Sequence, residues 1–220
     1  MTEASLPPLW RTFDPVWYRQ EYKDVLGEAA SLSDDALKQW YESQGAFSGH
    51  SPNCYFDEEW YRRTCPEALD GLASGQYTSG FDHYCQRGFK TQSPHYLFSE
   101  RYYTSGPDGI SVQSLTEQGF VNGYDHYLKQ GDQQNRSGHL FFNPELYLLT
   151  CAADEDAAPE GAFKNLLLAD KACPNTVRLS EHFDPVWYAR THPNAVMMVE
   201  YGYMPNVLYQ FLSEFTPSGL

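Results

Sequence analysis

Asp82-His83-Tyr84 and Asp125-His126-Tyr127 each set a carboxylate, an imidazole and a phenol side by side. Those are the groups from which general acid–base sites are built. Asp154-Glu155-Asp156 has the Asp-x-Asp form of a metal–diphosphate site. Asp14, Asp57 and Asp184 recur in one context and could be read as paired carboxylates. Tyr77, Phe120 and Tyr203 lie in polar stretches. Exposed rings near carboxylates suit a protein interface, where Tyr and Trp are enriched, or a sugar face.

The elements that would carry these groups are periodic. A six-residue box begins at Phe13, Phe56, Phe98, Phe142 and Phe183, so successive boxes start 43, 42, 44 and 41 residues apart. A fixed period of that size marks a repeat architecture. In every box the second residue is a preferred helix N-cap: Asp14, Asp57, Ser99, Asn143 and Asp184. Pro15, Pro144 and Pro185 follow at N1, where a missing N–H costs nothing. The leading Phe and the closing Tyr occupy the two positions of a hydrophobic staple. Each box therefore predicts the start of a short helix. Pro66, Pro107 and Pro193 should end or redirect it. Variable linkers such as 71–80 and 111–123 follow. A second helix is then expected around Tyr41, Tyr84, Tyr127, Leu168 and Tyr209, with Gly45, Gly88 and Gly131 as C′ stops.

This pattern predicts an all-α fold of about ten short helices in five tandem helix-turn-helix repeats, stacked as a solenoid-like array. The expected boundaries are an N-terminal tail over 1–11 and one repeat domain over 12–220. The repeats fall near 12–54, 55–96, 97–140, 141–181 and 182–220. The closing Thr216-Pro217-Ser218-Gly219-Leu220 matches the connectors before earlier boxes, so a longer protein cut at a repeat boundary is expected.

Alignment of the repeats reassigns the reactive-looking residues. The slot of His83 and His126 holds Trp40, Leu167 and Leu208 elsewhere, which reads as a packing position. Neither histidine has a partner at i+4, so helical zinc spacing is missing. Ser99 and Asn143 replace the box aspartates, which suits caps and not acid–base work. Asp154-Glu155-Asp156 sits in an Ala/Asp-rich linker with no parallel-strand pattern to position a metal site. No catalytic residue, metal ligand or cofactor is therefore assigned. The ligand-binding candidates are Tyr77, Phe120 and Tyr203. Protein contact, glycan contact and packing between repeats all remain open for them.

The unit Phe-Asp-Pro-x-Trp/Tyr-Tyr, then Pro-Asp/Glu, then Asp-His-Tyr-x-x-x-Gly, then Ser-Pro and Phe again resembles a bacterial helical repeat found beside glycosyltransferase domains in exopolysaccharide and lipopolysaccharide synthesis. It spans about residues 12–220. The usual Glu-Gly-Arg connector is absent, and the fourth repeat lacks the His-Tyr pair and the Pro-Asp turn. The resemblance implies association with glycan-building enzymes and carries over no catalytic residue. It makes a non-catalytic docking or scaffolding module the expected function, with a protein partner or an adjacent catalytic domain. A glycan- or acceptor-binding module using the linker aromatics is the alternative, and a glycosyltransferase whose site the sequence does not locate is the third reading.

The totals fit that setting. Asp and Glu outnumber Lys and Arg by 29 to 15, a net charge of −14, which disfavours nucleic acid as partner. No apolar run is long enough for a membrane span. The start of the chain lacks the basic and apolar regions of a secretory signal, and Asn135-Arg136-Ser137 is then a chance sequon. The five cysteines form no Cys-x-x-Cys pair and are read as reduced and buried. The expected location is the cytoplasm, or the inner face of the membrane through a partner.

Overall fold

The computed structural model describes residues 7–151, 161–169, 171 and 173–215. Among these the chain is helical and has no strand. Thirteen α-helices follow in order: α1 Pro15–Glu21, α2 Asp34–Trp40, α3 Glu58–Thr64, α4 Pro66–Ala73, α5 Gly80–Gln86, α6 Glu100–Ser105, α7 Val112–Glu117, α8 Gly123–His126, α9 Pro144–Cys151, α10 Ala162–Leu168, α11 Pro185–Thr191, α12 Pro193–Glu200 and α13 Val207–Phe215. The chain divides into two compact units, Met1–His95 and Tyr96–Leu220.

Every box opens a helix. Asp14 accepts from the N–H groups of Val16 and Trp17, Asp57 from Trp60, Ser99 from Tyr102, Asn143 from Glu145 and Leu146, and Asp184 from Trp187. These bonds satisfy donors that a first helical turn leaves without partners. The box rings meet as a staple: Phe13–Tyr18 5.0 Å, Phe56–Tyr61 5.2 Å, Phe98–Tyr103 5.5 Å, Phe142–Tyr147 5.9 Å and Phe183–Tyr188 5.2 Å between centroids.

The cap residue also ties its repeat to the next connector. In the first unit Asp14 N donates to Pro52 O at 3.1 Å and Asp57 N to Pro94 O at 2.9 Å. In the second, Ser99 N donates to Gly138 O at 2.9 Å and Asn143 N to Leu179 O at 2.7 Å. Three residues before each box Phe stand Trp10, Asn53, His95, His139 and Ser180, all buried. Asn53, His139 and Ser180 each accept the N–H two residues on, bending the chain into the box. Trp10, in a 3₁₀ turn over Leu9–Arg11, is fully buried and meets Tyr84 edge-on at 4.9 Å. The end of the expected tail thus belongs to the first unit.

Two expectations need correction. Thirteen helices replace ten, because middle helices occupy much of the expected linkers. Pro66 and Pro193 end one helix and also begin the next: Cys65 and His192 leave the helical region, and the prolines take N1 of α4 and α12. The middle helices α4, α7 and α12 end at left-handed Gly75, Gly119 and Gly202. The following N–H of Gln76, Phe120 and Tyr203 reaches back to the carbonyl of Gly71, Leu115 and Met198, a Schellman closure.

Gly45, Gly88 and Gly131 are not left-handed stops. The positive φ angles fall at Gly49 and Asn135, four residues past Gly45 and Gly131. At Gly45, Gly88 and Gly131 a Cβ would overlap the hydroxyl of Tyr18, Tyr61 and Tyr103. Glycine is needed there for close approach, not for dihedral freedom.

Candidate functional site

The box tyrosines end on polar partners at the centre of each repeat. Tyr18 Oη lies 2.6 Å from His50 Nδ1, Tyr61 Oη 2.8 Å from His83 Nδ1, and Tyr103 Oη 2.7 Å from His126 Nδ1. Tyr147 donates to Asn165 at 2.7 Å and Tyr188 to Gln210 at 2.8 Å. The slot of His83 and His126 is therefore filled by Asn165 and Gln210, not by Leu167 and Leu208. It is a polar slot in four repeats. In the first, Trp40 takes it and His50 supplies the bond from the connector. In the fifth repeat the register shifts because Phe211, not Tyr209, packs on the Phe183–Tyr188 staple, at 5.0 and 5.5 Å.

Burial holds His50, His83 and His126 below the usual histidine range, so their rings are neutral near pH 7. Burial likewise pushes the Tyr61 and Tyr103 phenols up. A protonated phenol facing a neutral imidazole is a stable hydrogen bond with no charge to transfer. Lowered histidines and raised phenols are also the opposite of an activated base and nucleophile.

Three buried carboxylates hold the starts of the last helices. Glu58 accepts from Gly80 N at 2.6 Å and Phe81 N at 2.8 Å, and pairs with Arg62 Nε at 2.5 Å. Glu100 accepts from Gly123 N at 2.6 Å and Tyr124 N at 3.1 Å. Asp132 accepts from Phe163 N at 2.8 Å and Lys164 N at 3.0 Å. Burial raises Glu58 and Asp132, opposed by Arg62 at the first and by the Lys164 and Phe163 amides at the second. Burial pushes Glu100 up to about 7 against its two amide bonds. Each carboxylate spends both oxygens on backbone amides, which is a capping arrangement. The alternation of short helices hides these residues in the sequence, since acceptor and donors lie more than twenty positions apart.

The three candidate aromatics separate. Tyr77, 6% exposed, packs edge-on to His83 at 4.9 Å. Phe120 is half-buried in the matching place on His126 at 4.7 Å. The exposure expected from their polar surroundings is absent at Tyr77, because the Schellman turn folds the residue back onto its repeat. Tyr203 is 67% exposed, beside Tyr201 at 70%, with ring centroids 6.4 Å apart. Trp187 on α11 is 60% exposed. Asp154, Glu155 and Asp156 lie outside the described residues.

Among the described residues no group of three or more His, Cys, Asp or Glu could hold a metal ion. Cys65 is buried, and Cys54, Cys85 and Cys173 are partly exposed. No described helix is long and apolar enough to cross a membrane.

The second unit also contains an open polar cleft of about 380 Å³ where the third and fourth boxes and their connectors converge. Arg136 is its one Lys or Arg, and Asp108, Glu145 and Glu181 its carboxylates. The Arg136 guanidinium donates to Asp108 O and lies over the Tyr103 ring, 5.7 Å from its centroid. Asn143 Nδ2 donates to Glu181 Oε1 at 2.9 Å. No family model, no curated protein and no solved structure matches this chain.

Proposed function

We propose that this chain is a non-catalytic helical-repeat module that docks protein partners in surface-polysaccharide assembly. The five box-bounded units form a solenoid-like array in this reading, and the partner is a neighbouring glycosyltransferase domain or another protein of the same assembly. The setting comes from the resemblance to repeats beside such domains. The observation that carries docking is the exposure of Trp187, Tyr201 and Tyr203 in the fifth repeat, while the box rings Tyr18, Tyr61, Tyr103, Tyr147 and Tyr188 are all buried. Exposed Trp and Tyr are the side chains that most often anchor interfaces. The acid–base groups argue the same way, since the box hydroxyls and the three buried carboxylates have internal partners. An acidic protein of this kind belongs with protein or glycan partners in the cytoplasm or at the inner membrane face.

Co-expression with glycosyltransferase domains of polysaccharide synthesis tests this. A docking module co-elutes with one of them, and Trp187→Ala with Tyr201→Ala and Tyr203→Ala abolishes co-elution without lowering the melting temperature. Sugar binding lost with the same three changes would favour the glycan-module reading through these rings. Nucleotide-sugar turnover by the isolated chain, lost with Asp154→Ala and Asp156→Ala, would overturn both.

A further inference from the structure

We infer that the cleft of the second unit is a binding site for a neutral or amino-substituted oligosaccharide segment. This goes beyond the docking reading and uses different residues. The argument rests on the kind of hydrogen-bonding groups that line one concavity. Asp108, Glu145 and Glu181 bring acceptors, whereas Arg136 and Asn135 bring donors; the Ser137 hydroxyl is already spent on His139 O and Phe142 O. Lysine side chains offer only donors to such a wall, and a phosphate or carboxylate only acceptors. A sugar hydroxyl does both, so a polyol satisfies the two sets together. Tyr102, half-buried on the wall, adds a ring of the sort that packs on sugar C–H groups.

The charge narrows the sugar. Three acidic residues and one arginine line the cleft, and that guanidinium is engaged with Asp108 O and the face of Tyr103. Uronate or phosphorylated sugars would bring like charge into the cleft, while a free amino group would find carboxylates. The walls are set by elements that do not depend on a ligand. Asn143 caps α9 through Oδ1 and holds Glu181 through Nδ2. Asn135, in the left-handed conformation with φ 54°, turns the chain just before Arg136.

The test is calorimetric titration of the full chain with three tetramers: cellotetraose, a glucosamine tetramer and tetragalacturonate. The first two should bind and the third more weakly. Glu145→Ala with Glu181→Ala should weaken binding about tenfold, the loss of a charge-assisted hydrogen bond. Both residues are exposed, and the Asn143 cap oxygen is untouched, so the melting temperature should hold. Glu145→Lys with Glu181→Lys should shift the preference to tetragalacturonate. Silence toward all three tetramers would overturn the inference. So would a preference of the unaltered chain for tetragalacturonate, equal binding of tetralysine, or sugar binding lost with Tyr201→Ala and Tyr203→Ala but not with the cleft variants. Co-elution with a docking partner should be indifferent to the cleft variants, so the two readings fail separately.

Discussion

The second repeat, in the first unit, and the third, in the second unit, build the same polar centre from the same parts. Tyr61, His83, Glu58, Gly80 and Gly88 in one correspond to Tyr103, His126, Glu100, Gly123 and Gly131 in the other. They differ one turn after the glutamate. Arg62 pairs with Glu58 and also donates to Ala46 O, whereas Thr104 stands there in the third repeat and donates to Glu100 O. A buried carboxylate beside a guanidinium keeps its charge more easily than one held mainly by backbone amides. The same fold element is therefore coupled to pH differently in the two repeats, and the value near 7 at Glu100 is the consequence.

The harshest way to break the shared centre is to fill its glycine. Gly131→Ala would drive a methyl group into the Tyr103 hydroxyl and should cost about 3 kcal/mol in urea unfolding. Tyr103→Phe in the same chain should recover much of that loss. An equal loss with and without the hydroxyl would refute close approach as the reason for glycine. Gly88→Ala should behave alike with Tyr61→Phe.

Glu100→Gln comes next. Both carboxylate oxygens accept N–H groups, so the amide would point a donor at a donor, costing about 2 kcal/mol. An unchanged unfolding midpoint would show that Glu100 does not hold the start of α8.

The difference itself is sharpened by pH. Glu100 has a folded value of about 7 against an ordinary 4.5. The folded state therefore holds this proton more tightly, so its contribution is fully present below 4.5 and is lost as pH rises through 7. The Gly123 and Tyr124 amide signals should titrate in that window. Arg62→Thr should raise Glu58 further and make the first unit lose about 1 kcal/mol more stability between pH 5 and pH 8 than the unaltered chain. A pH profile unmoved by Arg62→Thr would remove the arginine as the cause of the contrast.

Caps come last and should not distinguish the repeats. Asp57→Ala and Ser99→Ala should each cost about 1 kcal/mol by thermal unfolding. A large inequality would mean that one cap does more than satisfy a helix N-terminus.

The helix starts were legible in the chain itself, because a cap and a staple are completed within six residues. It also carried the period and the all-α class, since both follow from local spacing. The middle helices were present in the sequence as Pro66, Pro193 and the left-handed glycines 75, 119 and 202. Reading proline only as a stop hid them, although the same residue is a favoured first helical position. What lies across each repeat was set by packing in three dimensions. The hydroxyl of Tyr103 meets His126 and excludes a side chain from residue 131, while Glu100 meets amides more than twenty positions on. Hydrogen bonds and steric exclusion act over a few ångströms of space, and nothing in local spacing states which distant residues will share them. For the same reason Tyr77, in a polar stretch, became interior, and a cleft formed from residues drawn from 102–182.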